Sequence, residues 1–386
     1  MRVMAFAGTR ADLFPLGPVL VSLADHPDVE LHVATAVGFH GRSAADRLRE
    51  TGLAEDDFTH HDLDLYLDDA SAAGQQRLGP QLAASVAGVL ERVRPDAVVV
   101  LGDRWELLYV VPAVVVGGVR LVHLHGGEVT EGALDERVRH AVTKLADQHC
   151  VSTAGAARRV AQLGESPERI HQTGAPGLDR FAVRNPLSPA EFEVEFGQPL
   201  NRPLLMVTCH PTTADMQSNA GEVARNVFDE ALSVGATVIL TYPGFDAGRD
   251  DIVAELEGIA AAGAAGVIVR ESLGPLYPRV MATIDAVIGN SSSGILEAAS
   301  FSVPVVNVGD RQKGREHGAN VIQCPEERSG IRASIEKALS AEFRETSRQV
   351  VNPYGDSHSA ERIARVIVGG GNLPLTKAFI DIGAGE

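Results

Sequence analysis

Short runs of β-branched and other apolar residues alternate with segments of helical length from one end of the chain to the other. This alternation constrains the fold more than any single motif does. Val3–Ala7, Leu31–Ala36, Ala97–Leu101 and Leu121–Leu124 read as buried strands, and Leu16–Leu23, Leu82–Val93 and Leu107–Val116 have helical length and composition. A second series runs through Leu204–Thr208, Thr237–Thr241, Gly266–Val269, Ala286–Ile288 and Val303–Val308. Such alternation calls for parallel sheets with helices on both faces. Ala97-Val98-Val99-Val100-Leu101 is apolar at every position, as a strand covered on both faces requires. Met1–Phe14 reads as a short strand running into a turn, and Lys377–Glu386 as a tail prone to fray.

At ~150 residues per domain, a chain of 386 residues predicts two or three domains. The stretch Arg184–Pro203 carries Pro186, Pro189, Pro199 and Pro203 among charged residues and reads as the joint between two similar halves. Hydrophobic residues at 45% and charged residues at 22% exclude a disordered chain. A net charge of −17 argues against nucleic acid and anionic membranes as partners. A small phosphate-bearing ligand stays compatible, because a few local cations and helix N-termini override the distant field. Cys150, Cys209 and Cys324 form no CxxC pair, which fits a reducing compartment. No secretory signal is read at the N-terminus. The longest apolar run, Leu107–Val119, has 13 residues including Pro112, short of the ~18–20 needed to span a bilayer. The expectation is a cytoplasmic protein.

Ligands of doubly wound sheets bind at the carboxyl ends of the strands, which directs attention to the polar residues there. Gly8-Thr9-Arg10-Ala11-Asp12 follows the first strand without GxGxxG, so a dinucleotide fingerprint is absent. Arg10 suits a phosphate with its fork of donors, or a salt bridge to Asp12 as the plainer alternative. Asp103 follows Ala97–Leu101, and Glu128 follows Leu121–Leu124 through His125-Gly126-Gly127. If those strands are neighbours, about 4.8 Å apart, two carboxylates open into one mouth. Asp135, opening a helix over Asp135–Ala146, returns a third. Closely set carboxyl groups split their pKa values into a base and an acid. The plainer alternatives make Asp103 a partner of Arg104 and Asp135 a helix-start charge. His123, His125 and Glu128 lack the remaining ligands of a metal site, so no metal is expected.

In the second half, His210 lies in Cys209-His210-Pro211, where the proline favours an extended turn. Tyr242-Pro243-Gly244-Phe245-Asp246-Ala247-Gly248 follows the next strand. Gly289-Asn290-Ser291-Ser292-Ser293-Gly294 then runs from a strand end into a helix start, an arrangement that seats anions, with ordinary serine capping as the alternative. Glu297, one turn on, suits the hydroxyls of a ribose. Arg311, Lys313 and Arg315 add a cationic group, and together these features favour a diphosphate clamp.

These residues resemble those of the sugar-nucleotide 2-epimerases, specifically the hydrolysing UDP-N-acetylglucosamine 2-epimerases. The resemblance is nearly full length and ordered. It runs through Gly8–Asp12, Gly102-Asp103-Arg104, the stretch from His123 to Leu145, His210-Pro211, Asp246-Ala247-Gly248, Gly289–Gly294 and Gly309–Glu316. The block from His123 to Leu145 is the specific part and favours the hydrolytic branch. The resemblance implies an α/β fold of two Rossmann-like doubly wound domains in the GT-B arrangement, with an interdomain cleft. The first would be 1–184, rejoined by a C-terminal helix within about 355–386, and the second, nucleotide-binding domain 185–354. It implies that UDP-N-acetylglucosamine and water give N-acetylmannosamine and UDP with no cofactor, and that the protein is a homodimer. By motif, Asp103, Glu128 and Asp135 correspond to the catalytic carboxylates and His210 to the cleft histidine. Arg10, Ser291, Ser292, Glu297 and Arg311 correspond to nucleotide contacts, with Asp246, Gly289 and Asn290 near the substrate. Gly244-Phe245 stands where many relatives carry an asparagine-containing sequence. A GDP-linked diacetamido sugar of the legionaminic acid route is therefore the alternative substrate, and a GT-B glycosyltransferase the alternative activity. The product would suit sialic acid or another nonulosonic acid.

Overall fold

The computed structural model describes residues 1–39, 44–69, 71–130, 134–182, 184–211, 220–244 and 248–381, apart from the side chains of Arg10 and Asn372. The chain forms two compact units, Met1–Ala182 with Pro353–Glu386, and Val183–Asn352.

The first unit holds strands β1 (Arg2–Thr9), β2 (Glu30–Gly38), β3 (Thr59–Tyr66), β4 (Ala97–Leu101), β5 (Arg120–Leu124), β6 (Gln148–Val151) and β7 (Ile170–Gln172). Helices α1 (Arg10–Ala24), α2 (Ala44–Arg49), α3 (Ala72–Val93), α4 (Leu107–Val116), α5 (Leu134–Leu145) and α6 (Ala154–Gln162) lie between them. The strands form one sheet in the order β3-β2-β1-β4-β5-β6-β7. The direction of winding reverses between β1 and β4, so the loops leaving these strands at their carboxyl ends flank a natural ligand position. The apolar alternation explains the layering. Val3, Ala5, Ala7, Ala97 and Val99 face one core with Leu16 and Leu20 of α1, while Met4, Phe6, Val98 and Val100 face the other with Leu82, Val110 and Val114.

The second unit begins with α7 (Pro189–Phe196) and continues through β8 (Leu204–Thr208), α8 (Ala220–Ser233), β9 (Thr237–Thr241), α9 (Arg249–Ala262), β10 (Val267–Arg270) and α10 (Tyr277–Met281). It closes with β11 (Ala286–Gly289), α11 (Ser292–Leu296), β12 (Val305–Val308), β13 (Val321–Cys324), α12 (Arg328–Leu339) and α13 (Ala341–Arg348). Its sheet order, β10-β9-β8-β11-β12-β13, puts the same reversal between β8 and β11. Leu205 and Val207 point into one core, Leu204 and Met206 into the other.

The chain then returns to the first unit as α14 (Ser359–Gly369), whose Ala360, Ile363, Ala364 and Ile367 pack into the core beside α1. Asp179 caps this helix, accepting hydrogen bonds from the Ser359 and Ala360 amides at 2.9 and 2.6 Å. From Leu373 to Lys377 the chain is held by hydrogen bonds, while residues 382–386 of the tail expected to fray lie outside the described residues. Arg120 and Arg169 donate to the carbonyls of Leu373 and Pro374 at 2.9 and 2.8 Å. Lys377 Nζ reaches the carbonyls of Lys144 and Ala146 and the buried carboxylate of Glu165, at 2.7, 2.6 and 2.8 Å. Glu165 also accepts from Lys144 and His149; burial alone would raise its pKa, but these three donors outweigh that and hold it down at about 2.

The first turn also departs from expectation. Instead of running into a turn, the chain enters α1 directly at Arg10, because Thr9 is the N-cap and its amide donates to Asp12 at 2.8 Å. Strands β3, β6, β7 and β13 were not expected. β3 is polar and half exposed at the sheet edge, while β6 and β7 are short and interrupted by histidine and glutamine. No helix among the described residues is long and apolar enough to cross a membrane.

Candidate active site

In the first unit, β4 and β5 are adjacent and parallel, with Leu101 paired to Leu124, so the segments that follow them lie side by side. Asp103 and Glu128 are therefore on neighbouring strand exits. The residue that joins them is Arg139, which is 3% exposed and projects from the middle of α5. Its guanidinium pairs with the Asp103 carboxylate and donates to the Glu128 carbonyl at 2.9 Å, to Glu136 Oε2 at 3.0 Å and to Thr130 Oγ1 at 2.8 Å. Asp135 sits half-buried in the first turn of α5, one turn before Arg139. Burial pushes the Asp135 carboxyl above its usual range, and the Arg104 guanidinium only partly offsets this.

Glu128 is itself oriented by two donors on one oxygen. His125 Nδ1 lies 2.6 Å from Oε1, and Ser152 Oγ donates to the same atom at 2.6 Å. His125 is held in the left-handed region at φ 62°, where non-glycine residues are uncommon, and its amide bonds the Cys150 carbonyl at 3.1 Å. His123 is fully buried, and both of its ring nitrogens are engaged, with the Gly102 carbonyl and Thr143 Oγ1 at 2.7 and 3.2 Å. Burial lowers its pKa to about 3, so the ring is neutral.

Arg104 does not pair with Asp103. Its Nε donates to Glu106 Oε1 at 2.7 Å, and Glu106 is 1% exposed with Oε2 lacking a hydrogen-bond partner among the described residues. Gly8 makes room for this carboxylate, since a Cβ there would stand 2.2 Å from Glu106 Oε1. Asp12 lies in the same field, and burial followed by the charge of Glu106 raises it to about 6. The Arg10 side chain, a sequence candidate for phosphate, lies outside the described residues.

In the second unit, Asn290 is the centre of the strand-end cluster. Its side chain accepts from the His210 amide at 2.7 Å and donates to the His210 carbonyl at 2.9 Å, locking the loop after β8 to the one after β11. Arg311 and Gln312 donate to the Asn290 carbonyl at 3.1 and 2.9 Å. His210 Nδ1 accepts from the Gly244 amide at 3.2 Å, which places the proton of a neutral ring on Nε2. Gly289, at φ 125°, presses against β8 so closely that a Cβ would lie 2.0 Å from the Thr208 carbonyl oxygen. Ser291 caps α11, accepting from the Ser293 amide at 3.4 Å, and Ser292 is the first residue of that helix. Tyr277 donates its hydroxyl to Glu297, whose carboxyl is raised by burial to about 7. Lys313 pairs with Asp310 at 3.2 Å on the exposed side. Asp246 lies outside the described residues.

Arg139, Ser152 and Glu106 were not singled out from the sequence, and His125 was weighed only as a metal ligand rather than as a partner of Glu128. Arg139 stands four residues after Asp135, the spacing that puts two side chains on one helix face. That spacing was available, but only the packing of α5 beside β4 and β5 makes it an anchor for Asp103. Gly8 was the signal for Glu106, since a glycine at a strand exit marks a close approach.

The sequence of the chain matches the family described as UDP-N-acetylglucosamine 2-epimerase over residues 22–368. It is 31% identical over 379 residues to the UDP-N,N′-diacetylbacillosamine 2-epimerase (hydrolyzing) of Legionella pneumophila, with 95% of each chain covered. It is 32% identical over 302 residues to the GDP/UDP-N,N′-diacetylbacillosamine 2-epimerase (hydrolyzing) of Campylobacter jejuni, with 78% of each covered. The crystal structure of UDP-GlcNAc 2-epimerase from Neisseria meningitidis bound to UDP-GlcNAc superposes with a TM-score of 0.79 at 17% identity, covering 96% of this chain and 100% of that one. The fold is thus the GT-B fold of those enzymes, with parallel sheets of seven and six strands. The chain belongs to the UDP-N-acetylglucosamine 2-epimerase family.

Proposed function

We propose that the chain is a hydrolysing 2-epimerase of a nucleotide-linked 2-acetamido sugar, converting UDP-N-acetylglucosamine and water into N-acetylmannosamine and UDP. The observation that carries this reading is the grouping of Asp103 and Glu128 on adjacent strand exits, held by Arg139 from the helix that also bears Asp135. The C2 proton beside an acetamido group is weakly acidic, so its removal needs a positioned carboxylate. As that proton leaves, the C–H electron pair forms the C1=C2 bond and the C1–O bond breaks with its pair going to UDP. Water then adds its oxygen to C1 of the resulting 2-acetamidoglucal, and a proton is delivered to C2 from the opposite face. Asp103 and Glu128 share the proton transfers, with Asp135 assisting. His125 and Ser152 orient the Glu128 carboxylate, while burial pushes the Asp135 carboxyl above its usual range, so the carboxyls of the group stand in different environments, as separate base and acid roles require.

In this reading the second unit binds the nucleotide. Arg311, Ser291 and Ser292 stabilise the charge of the departing diphosphate, a role that Arg10 shares by motif alone. Glu297 accepts from the ribose hydroxyls, and His210 Nε2, Gly289 and Asn290 are assigned to the substrate, as is Asp246 by motif alone. A second reading replaces the sugar with a UDP- or GDP-linked diacetamido sugar, favoured by the names of the relatives that are 31% and 32% identical. The activity serves the making of sialic acid or another nonulosonic acid. A cytoplasmic setting is supported by three cysteines that are all unpaired and buried. A homodimer is supported by Leu108, Val115 and Val116 of α4, which are exposed together, Val116 by 89%.

The test is nucleotide release from UDP-N-acetylglucosamine and from UDP- and GDP-N,N′-diacetylbacillosamine, with no acceptor present. Equimolar free nucleotide and free C2-epimerised sugar from one of them supports the reading. Turnover only when a sugar acceptor is added indicates a glycosyltransferase instead, and a nucleotide-linked epimer without free sugar indicates a non-hydrolysing enzyme.

A further inference from the structure

The turn that carries Asp103 is gripped from three directions. Gly102, at φ 75°, donates its amide to the Leu124 carbonyl of β5 at 2.9 Å. Its carbonyl oxygen receives the ring of His123, from the same strand, at 2.7 Å. The Asp103 side chain is held by Arg139 of α5. Backbone and carboxylate are thus fixed independently.

The His123 contact has only one workable protonation pattern. A carbonyl oxygen accepts and never donates, so Nε2 must carry the hydrogen. Burial keeps the ring neutral with a pKa of about 3, which leaves Nδ1 without a proton. Nδ1 then accepts from the hydroxyl of Thr143, 3.2 Å away on α5. Gly126 shows how closely this pair is enclosed, because a Cβ there would stand 3.0 Å from both His123 Nδ1 and Thr143 Oγ1. Thr143 lies one turn beyond Arg139, so a single helix face controls both the carboxylate of Asp103 and, through His123, the peptide that precedes it.

We propose that His123 is a positioning residue for Asp103: with its Nε2–H committed to the Gly102 carbonyl and its ring held from the other side by Thr143, it fixes that carbonyl and thereby the direction from which Asp103 meets the C2 proton. This rests on the reading of Asp103 as a catalytic carboxylate. His123 touches no reacting atom. Misplacement of a catalytic group by about 1 Å costs up to ~100-fold in rate, so the effect belongs in kcat and leaves nucleotide affinity alone.

The experiment compares wild type with His123→Phe, His123→Gln and Thr143→Val, measuring kcat, KM and UDP affinity on the nucleotide sugar that wild type hydrolyses. His123→Phe keeps much of the volume but loses the donor, and kcat is expected to fall roughly 10-fold or more with KM within about two-fold. His123→Gln restores an N–H near the Nε2 position and should recover most of the loss. Thr143→Val, which removes the hydroxyl that holds Nδ1, should fall between them. Wild-type kcat in His123→Phe, a glutamine variant no better than the phenylalanine one, or a loss confined to KM overturns the proposal. Should His123→Phe not fold, the glutamine and valine variants decide it, together with ring nitrogen NMR of wild type. That spectrum is expected to show the Nε2–H form of His123 at neutral pH, and the Nδ1–H form overturns the proposal. A wild type inactive on every nucleotide sugar overturns the functional reading, whereas an active wild type with indifferent variants overturns this proposal only.

Discussion

The guanidinium of Arg139 is paired with the carboxylate of Asp103, joining the middle of α5 to the exit of β4. Because Arg139 also holds Glu136 and the Glu128 carbonyl, its removal strands several acceptors at once. Breaking a buried pair from one side costs about 3–5 kcal/mol. Arg139→Met is expected to lose a large part of that in chemical denaturation, along with turnover. Arg139→Lys should retain more stability than activity, since an ammonium cannot reproduce the fork that reaches Asp103, Glu136 and Thr130 together. Equal losses in the two variants would argue against this.

Asp103→Asn and Glu128→Gln keep shape and remove the base. Each is expected to abolish turnover, while calorimetry shows UDP binding close to wild type, because neither side chain is among the assigned nucleotide contacts. Wild-type-like rates in both variants would remove the carboxylates from the chemistry.

His125 combines a positive φ with a hydrogen bond to Glu128. Asparagine tolerates that backbone region and keeps a donor, whereas a β-branched residue does neither. His125→Asn should therefore retain measurable kcat and near-native melting, and His125→Val should lose both. The comparison is made by thermal melting and nucleotide release.

Alternation carried most of the architecture because β1, β4, β8 and β11 are covered on both faces and are apolar through their central residues. It missed β3, where an edge position lets Asp62 and Asp64 stand among the strand residues. The start of α1 was obscured by Pro15 and Pro18, although the capping pair of Thr9 and Asp12 was present in the sequence. The placement of Asp103 and Glu128 on neighbouring exits was legible from strand order alone. Their anchor was not, because the reach of Arg139 to β4 depends on how α5 packs. Glu106 was hidden for a similar reason, being a buried charge inside an otherwise apolar helix start.

Glu297 makes the second unit sensitive to pH. Burial raises its carboxyl from 4.5 to about 7, against the pull of the Tyr277 hydroxyl. A folded pKa above the unfolded one means the folded state binds the proton more tightly. The associated stability is fully present below about pH 4.5 and is lost as pH rises towards 7. Asp12, raised by burial and Glu106 to about 6, has the same sign in the first unit. Melting of Glu297→Gln across the range from about pH 5 to 8 should show a shallower decline than wild type. UDP affinity of wild type should rise over that range as the ribose acceptor ionises, and a flat profile would contradict the assignment.

Lys377 ties the C-terminal segment to the carbonyl end of α5 and to Glu165. Lys377→Met leaves the buried Glu165 with Lys144 and His149 as its remaining donors. The expected cost is about 1–3 kcal/mol in denaturant midpoint, with unchanged UDP affinity. An unaltered midpoint would show that the tail contributes nothing to the first unit.

The most direct measurement is proton NMR of the reaction run in D2O with the nucleotide sugar alone. Abstraction at C2 followed by hydration requires free C2-inverted sugar carrying deuterium at C2, released one for one with the nucleoside diphosphate. Free sugar that keeps its original hydrogen at C2, or retains its original configuration there, would contradict the account.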